Sequence, residues 1–244
     1  MRTHVSRGGL GWAPDFPRRE SGWRDLADLT LVSIKPAFAT DPATARYYDQ
    51  RAREYDDWYT GRGVFADRDR PGWDAEVERI VDLVRKLPPA RTLDIACGTA
   101  FLTRHLSGLV VGLDQSPSMV AIAQSRLADG LAVVGDALHL PVSDAAFDRV
   151  FTGHFYGHLP ADERAAFVAE ARRVAGELVV VDTARREDAP AEQWERRVLS
   201  DGSLHQVYKR YLSADQLARE LGGTPLLEGR WFVAARVSWP GRTG

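Results

Sequence analysis

The chain has 244 residues, of which 44% are hydrophobic and 27% charged, a balance typical of a single globular α/β domain. Its formal net charge of −2 offers no overall attraction to nucleic acid or to an anionic membrane, so we expect neither as a partner. A single cysteine excludes an intrachain disulfide and a thiolate metal cluster, and no apolar run approaches the roughly 20 residues of a membrane span. These features favour a cytoplasmic protein.

The first part of the chain divides into an arm and a helix. Residues 1–40 mix glycine, proline and arginine without a lasting period of 2 or 3.6, which predicts a loosely ordered N-terminal arm. A helix is expected to begin at Asp41 and Pro42, an N-cap acid followed by proline, and to end at Gly61. One face of this helix carries three residues at helical spacing: Tyr48, Ala52 and Tyr55.

Short apolar strands and amphipathic helices alternate through the middle of the chain. The predicted strands cover residues 92–96, 109–114, 131–136, 147–152 and 177–181. Helices are predicted over 73–87, from Phe101, after Ser116-Pro117 and over 161–174. This alternation indicates βαβ units and a mainly parallel sheet with right-handed crossovers.

The last third of the chain has a different pattern. Asp201-Gly202 separates two short runs and predicts a hairpin with a tight turn. Ser213, with Gln216 three residues later, is a capping box for a short helix that ends at Leu221. Residues 225–238 are then expected to form a terminal pair of antiparallel strands.

The stretch from Arg91 to Leu106 is the strongest functional signal. It combines a buried strand with a small-residue loop, in which Gly98 brings backbone N–H groups close to a ligand above the sheet. Asp94 lies inside that strand, and its carboxylate would repel a phosphate but attract hydroxyls or an ammonium group. Asp114 and Asp136 end the next two strands. Because ligands bind beyond the carboxyl ends of parallel strands, we expect the three acids to converge on one crevice.

Together these motifs resemble the class I S-adenosylmethionine-dependent methyltransferases, in particular their small-molecule branch, over residues 43–240. The resemblance implies an α/β fold with a Rossmann-like, mainly parallel seven-stranded sheet, an antiparallel terminal strand and helices on both faces. It divides a domain over 41–244 into a helical lid (41–90), a cofactor-binding half (91–182) and a section with the substrate wall and terminal strand (183–244).

The resemblance also implies that S-adenosylmethionine (SAM) is the cofactor and S-adenosylhomocysteine (SAH) its product. The cofactor-binding positions that it transfers to this chain are Tyr48, Tyr55, Asp94, Ala96, Cys97, Gly98, Asp114, Gln115, Met119, Asp136 and Ala137. Asp94 and the loop hold the methionine part, and Asp114, 20 residues later with Gln115 beside it, takes the ribose hydroxyls. Asp136 and Ala137 read the adenine edge.

Three of these cofactor positions, Met119, Tyr48 and Tyr55, are inferred from their residue type and from their place in the family pattern. Met119 offers an apolar face to the adenine, or else packs in the core. Tyr48 and Tyr55 lie on the lid, where a tyrosine commonly reaches the methionine end. The family often has glycine where this chain has Ala96 and Ala100, and the second of these positions mainly requires a small residue.

The loop after the fourth strand is where an acceptor would meet the methyl group. His154, Tyr156 and His158 alternate there and are the candidate catalytic residues. A neutral histidine can accept a proton near pH 7, although each of these side chains could instead pack against the following helix. Methyl transfer is an in-line displacement at an activated carbon, so neither a metal nor a covalent catalyst is expected.

Three functional classes can be compared with these residues, and they do not fit equally well. The leading one is methyl transfer from SAM to an oxygen or nitrogen of a small molecule, by a monomer or homodimer. The branch that methylates nucleobases is disfavoured, since its Asp/Asn-Pro-Pro-aromatic motif is replaced by Thr152-Gly-His-Phe155. A nicotinamide-dependent dehydrogenase needs G-x-G-x-x-G, which Gly98-Thr-Ala-Phe-Leu-Thr103 does not provide. The third is a protein that binds SAM without transferring its methyl group, as a sensor or a repurposed catalyst.

Overall fold

A computed structural model describes residues 42–187 and 189–239. The predicted arm over 1–40 and the predicted N-cap at Asp41 lie outside these ranges. The helices are α1 (Pro42–Arg51), α2 (Asp57–Thr60), α3 (Trp73–Arg85), α4 (Pro117–Arg126), α5 (Ala161–Val174) and α6 (Ala214–Leu221). The strands are β1 (Thr92–Ile95), β2 (Val110–Asp114), β3 (Leu131–Val134), β4 (Phe147–Gly153), β5 (Ala175–Thr183), β6 (Glu192–Val198), β7 (Leu204–Arg210), β8 (Thr224–Glu228) and β9 (Phe232–Ser238).

The main sheet has seven strands in the order β3-β2-β1-β4-β5-β9-β8. Strands β1 to β5 pair in parallel, and β9 is antiparallel to both of its neighbours, β5 and β8. The predicted mainly parallel seven-stranded sheet with an antiparallel terminal strand is therefore confirmed. Strand order reverses between β1 and β4, the place where such sheets form a ligand crevice.

Helices cover both faces of the sheet, because alternate side chains of its central strands point in opposite directions. On β5, Leu178 and Val180 pack with Phe167 of α5 in one apolar cluster. Val179 and Val181 pack in a second cluster with α3. This arrangement confirms the predicted helices on both faces.

The predicted helix from Phe101 is wrong. The chain makes a single 3-10 turn, Thr103–His105, and then returns to pair with the segment before β1. The N–H of Ala90 donates to the carbonyl of Ser107 at 3.1 Å. Gly108, with φ +99°, lies so close that a Cβ atom on it would be 2.4 Å from the carbonyl oxygen of Ala90. This early return to the sheet leaves no room for a longer helix.

The front helix is also shorter than predicted, while both predicted serine caps are confirmed. After α1 the chain forms a 3-10 turn, Ala52–Glu54, and then α2, which ends at Gly61 in the left-handed region as expected. Ser116 accepts a hydrogen bond from the N–H of Met119, and Ser213 from that of Gln216.

The predicted hairpin forms a separate two-stranded sheet. Strands β6 and β7 pair antiparallel over their whole length, with Gly202 at φ +83° in the turn between them. The hairpin lies against the front of the molecule, where the ring of His205 packs 4.9 Å from the ring of Tyr47 on α1. The backbone N–H of Ser200 donates to the carboxylate of Glu54 at 3.0 Å. No helix in the described part of the chain is long and apolar enough to span a membrane.

Candidate active site

Two neighbouring cavities lie in front of the carboxyl ends of the strands. We call the first the strand-end cavity; its volume is about 540 Å³, and its back wall consists of Ala96, Leu113, Asp114, Gln115, Gly135 and Ala137. We call the second the front cavity; its volume is about 690 Å³, and it lies between α1, the segment that follows α2 and the β6–β7 hairpin. Five side chains line both cavities: Tyr48, Tyr55, His154, His158 and Trp194.

Asp94 is a buried acid with a free oxygen. The residue is only 2% exposed, and its Oδ2 accepts a hydrogen bond from the Thr103 hydroxyl at 2.6 Å. Its Oδ1 is buried and has no hydrogen-bond partner among the described residues. Burial raises the pKa of Asp94 to about 8, against the Thr103 hydrogen bond and with a smaller contribution from Asp114. A cationic ligand group would satisfy this carboxylate.

Asp114 ends β2 and is held by backbone N–H groups. Its Oδ2 accepts from the N–H of Gly98 and its Oδ1 from the N–H of Ser116, each at 2.9 Å. Burial raises the pKa of Asp114 to about 6, although these two hydrogen bonds lower it. The carboxylate therefore links the small-residue loop to the start of α4 at the edge of the strand-end cavity.

The loop between β1 and the 3-10 turn has a left-handed backbone at three positions. Gly98 has φ +55°, and the two alanines, Ala96 and Ala100, have φ +58° and +61°. A residue with a Cβ atom in this region costs about 1–2 kcal/mol relative to the right-handed region. These alanines thus adopt the backbone that glycine provides elsewhere in the family pattern, so the position of Ala100 requires more than a small side chain.

Cys97 and Gly98 pack in opposite directions from the loop. A Cβ atom on Gly112 of β2 would lie 2.9 Å from Sγ of Cys97, so the thiol fills the space that this glycine leaves. Burial raises the pKa of the Cys97 thiol, which supports packing rather than nucleophilic attack. A Cβ atom on Gly98 would lie 3.3 Å from Cε1 of Tyr55, and the tyrosine ring therefore lies directly on the loop.

The front helix is attached to the loop and to α4 by two acids. Asp49 Oδ1 accepts from the Ser116 hydroxyl at 2.7 Å and from the N–H of Ser118 at 3.0 Å. Asp56 accepts from the Thr99 hydroxyl at 2.5 Å and forms an ion pair with Arg126 at 2.6 Å. These contacts hold Tyr48 and Tyr55 over the strand-end cavity.

Six predicted site residues do not line either cavity: Asp94, Cys97 and Gly98, which are described above, and Met119, Asp136 and Tyr156. Met119 is 1% exposed and packs in the core. Asp136 turns toward its own loop, accepting from the N–H of Leu138 at 2.8 Å and lying 3.2 Å from Nδ1 of His139. The Tyr156 hydroxyl donates to Glu220 at 3.2 Å, and its ring packs in the cluster that contains α5. These contacts favour a packing role for Tyr156 over a catalytic one.

The two predicted histidines occupy different environments. His154 has φ +61°, and both of its ring nitrogens are buried without a hydrogen-bond partner among the described residues. Burial, together with Lys209 and against Asp182, lowers the pKa of His154 to about 3. His158 places Nδ1 at 2.6 Å from the carbonyl oxygen of Tyr208, so Nδ1 carries the proton and Nε2 an available lone pair.

The family-model comparison identifies residues 93–178 as a methyltransferase domain. Over 82% of the chain the fold matches the solved structure of a DhpI–SAH complex, covering 97% of that chain with a TM-score of 0.63 and 26% identity. Residues 93–178 thus match a methyltransferase domain, the family that the sequence motifs resemble.

Two demethylmenaquinone methyltransferases are among the relatives of this chain. The protein from Thermotoga maritima is 36% identical over 115 residues, which cover 43% of this chain and 48% of the relative. That match thus spans about half the length of the relative. The protein from Parafrankia sp. is 29% identical over 227 residues, covering 81% of this chain and 80% of the relative.

Two unsatisfied oxygens at the carboxyl ends of the strands fit SAM by their chemistry. Oδ1 of Asp94 on β1 and Oε1 of Gln115 in the wall of the strand-end cavity are both buried and lack a hydrogen-bond partner among the described residues. The first suits an ammonium group and the second a hydroxyl or amino group. In residues 42–187 and 189–239 no group of three or more His, Cys, Asp or Glu side chains is arranged to hold a metal ion.

Most residues of the front cavity are not among the site residues predicted from the sequence. Its basic wall includes Arg51, Arg68, Arg197 and Lys209. A signal for Arg51 was available, because it follows Tyr48 by three residues and precedes Tyr55 by four, on the same helical face. The other three come from segments far apart in sequence, and no local pattern connects them.

Proposed function

We propose that this methyltransferase transfers a methyl group from SAM to an oxygen or nitrogen of a small molecule by in-line displacement. The observation that carries the proposal is the pair of cavities with a shared wall of His154, His158, Tyr48 and Tyr55. The strand-end cavity offers the groups that hold the donor, and the front cavity opens on the other side of the same side chains. Such a layout aligns two reactants while protein walls exclude water.

In this proposal the donor is held by residues of β1, β2 and the front helix. Asp94 Oδ1 receives the ammonium group, and Asp114 receives the ribose hydroxyls, with Gln115 beside it. Ala137 borders the adenine, and Tyr48 and Tyr55 cover the methionine end. When bound, SAM supplies a methyl group on a positively charged sulfur, which leaves as the neutral thioether of SAH.

His158 is the residue that we propose takes up the acceptor's proton. The hydrogen bond from Nδ1 to the carbonyl of Tyr208 fixes the tautomer, and Nε2 has no other partner among the described residues. The acceptor atom forms the new bond to carbon and loses its proton to this nitrogen. His154 is a poorer candidate, because no hydrogen bond among the described residues orients its ring and both of its nitrogens are buried.

Donor binding is tested by titration calorimetry of the full chain with SAM and SAH. We expect Asp114→Ala to weaken binding by roughly 10–100-fold, since the lost hydrogen bonds involve a charged group. Asp114→Asn keeps one acceptor oxygen and should lose less. Asp129→Ala, at an exposed acid before β3, is the matched control and should bind as the parent does.

Unchanged binding in Asp114→Ala would overturn the donor site. Transfer itself is tested by mass spectrometry of panels of phenols, amines and carboxylic acids incubated with SAM and the protein. A methylated product supports the proposal. Donor binding with no product across the panels would favour the alternative, a protein that binds SAM without transferring its methyl group.

A further inference from the structure

Arg51 is a buried cation that has no counter-ion among the described residues. The residue is 4% exposed, and its Nη1 donates to the hydroxyl of Tyr47 at 2.7 Å. The rings of Tyr55 and Phe65 lie 5.0 and 5.9 Å from its guanidinium carbon. None of the ion pairs among the described residues includes Arg51. Because an unpaired buried charge is strongly unfavourable, a partner from outside the chain is expected.

Arg68 faces the same cavity from the segment after α2. Its guanidinium carbon lies 4.6 Å from the centre of the Phe65 ring, on which Arg51 also packs. No ion pair of Arg68 is found among the described residues. Partial loss of solvent, and the nearby charges of Arg197 and Arg51, lower the pKa of Arg68, so the guanidinium groups repel each other across this cavity.

Two further cations of this wall, Arg197 and Lys209, are paired within the chain. Arg197 contacts Glu195 at 2.5 Å, and Lys209 contacts the buried Asp182 at 2.6 Å. Burial and the charges of Lys209, Arg197 and Arg51 nevertheless lower the pKa of His158. The potential at the shared wall is therefore positive even where the individual cations have partners.

The charge of the whole cavity agrees with this local picture. Among the described residues, seven Lys and Arg side chains and three Asp and Glu side chains line the front cavity, which gives this lining a formal charge of +4 on a chain whose net charge is −2. The walls between them are aromatic and include Trp58 and Trp73. A guanidinium group binds a carboxylate or a phosphoryl group through two parallel hydrogen bonds, which suits a fixed, half-enclosed site.

We propose that the front cavity binds an acceptor through a carboxylate or phosphoryl oxyanion, held by Arg51 and Arg68 beside His158. This inference rests on the proposed function, in which the front cavity is the acceptor site. The two paired cations, Arg197 and Lys209, add to the field but keep their own partners. The aromatic walls take the apolar part of the acceptor.

The test compares three probes of one shape on the full chain: benzoate, phenylphosphonate and the neutral benzamide. Binding to the SAH-loaded protein is measured by calorimetry or by ligand-observed NMR. We expect at least one anion to bind ten or more times more tightly than benzamide, and the advantage to fall as salt rises. Tighter binding of benzoate would identify a carboxylate acceptor, and tighter binding of phenylphosphonate a phosphoryl one.

Two arginine variants and a matched control assign the effect to residues. Arg51→Gln and Arg68→Gln should each weaken binding of the preferred anion by roughly 10–100-fold while SAH affinity stays unchanged. Arg68 is exposed, so its variant keeps the test valid if the buried Arg51 variant does not fold. Arg53 is an exposed cation two positions after Arg51, and it lies outside the cavity. The control variant Arg53→Gln should therefore bind the anion as the parent does.

The two proposals fail in different ways. Equal binding of all three probes, or loss of anion binding in Arg53→Gln alone, would overturn the oxyanion site while donor binding and methyl transfer persist. Failure of the proposed function would instead appear as loss of donor binding or of product, with the preference for the anionic probes intact.

Discussion

At the scale of single residues, two histidines four positions apart lie in different environments. His154 is enclosed by the rings of Trp58, Tyr59 and Phe232, at centroid distances from 4.8 to 5.6 Å, and offers its nitrogens no partner. His158 has one nitrogen fixed by a carbonyl and the other available at the shared wall. Sequence spacing alone could not distinguish them, since both follow the same strand.

A substitution at His158 tests its proposed role as the base. His158→Asn keeps a donor near the position of Nδ1 but removes the nitrogen that takes the proton. We expect turnover to fall by about 10²–10⁴-fold with SAM affinity unchanged. Protonated His158 cannot accept a proton, and burial with neighbouring cations lowers its pKa. The acid limb of kcat/KM should therefore lie below pH 6.5 and disappear in the variant.

His205→Asn is the control for this experiment. His205 lies on β7 and contacts Tyr47 and Ser203 without lining either cavity. Its turnover and pH profile should match those of the parent. If His158→Asn kept full turnover, the accepting atom would already be deprotonated when it binds, as an oxyanion nucleophile would be, and His158 would have a packing role.

At the scale of elements, two alanines of the loop after β1, Ala96 and Ala100, adopt the left-handed backbone conformation that favours glycine. Ala96→Gly should leave the protein equally stable or raise its free energy of unfolding by up to about 1 kcal/mol. The relief of about 1–2 kcal/mol from the left-handed region exceeds the cost of about 0.4–1 kcal/mol from added freedom of the unfolded chain. Urea unfolding measures the difference.

Ala165→Gly is the matched control, because this exposed alanine lies in the middle of α5. It should lower the free energy of unfolding by about 1 kcal/mol. Equal losses in both variants would mean that the positive φ of Ala96 carries no strain. The sequence motif predicted a small residue at this loop but not its dihedral angles, since those depend on how β1, β2 and the front helix meet.

Local signals predicted the elements whose ends they encode. Ser116, Ser213 and Gly61 mark ends of helices, and each end lies where its residue indicated. The segment after Phe101 had helical spacing but no capping signal, and its pairing with residues 90–92 prevailed. Tertiary contacts of this kind are invisible to periodicity, which explains the one helix that is absent.

At the scale of the whole molecule, buried acids reduce the stability of the protein without its ligand. The folded-state pKa of Asp94 is about 8, above the unfolded value of about 3.9. This acid favours folding when protonated, so its stabilising contribution is complete below the unfolded pKa and is lost as pH rises through 8. Asp114, with a pKa of about 6, acts in the same direction.

Asp94→Asn should therefore stabilise the ligand-free protein at pH 8 by at least about 1 kcal/mol, and much less at pH 5. The same substitution should weaken SAM binding, because the ammonium group loses its carboxylate. Thermal unfolding at the two pH values, with and without SAM, measures both effects. A loss of stability at pH 8 would contradict the prediction.

Asp148→Asn is the control, because its expected change in stability at pH 8 has the opposite sign to that of Asp94→Asn. Arg91 hydrogen bonds and pairs with this half-exposed carboxylate and lowers its pKa. Its contribution is present above the unfolded pKa and is lost as pH falls through the folded value, so the variant should be slightly less stable than the parent at pH 8.

The two cavities differ in how far their residues could be predicted from the sequence. The acids of the strand-end cavity lie at strand ends, and a parallel sheet brings such ends together by topology alone. The front cavity joins α1, the segment after α2 and the hairpin, with Arg51 and Arg197 separated by 146 positions. The positive charge of this cavity arises only when the folded chain brings these distant segments together. The chemical class of the acceptor therefore could not be predicted from the sequence.

The packing of Cys97 against Gly112 has a practical consequence. It is the single cysteine of the chain, and it lies buried in the loop that the donor would touch. A thiol reagent can therefore attach at one position alone, and its rate of reaction reports how often that loop opens. Ligands that hold the loop closed would slow the labelling, so the protein carries a built-in sensor for screening donors and acceptors before any product is known.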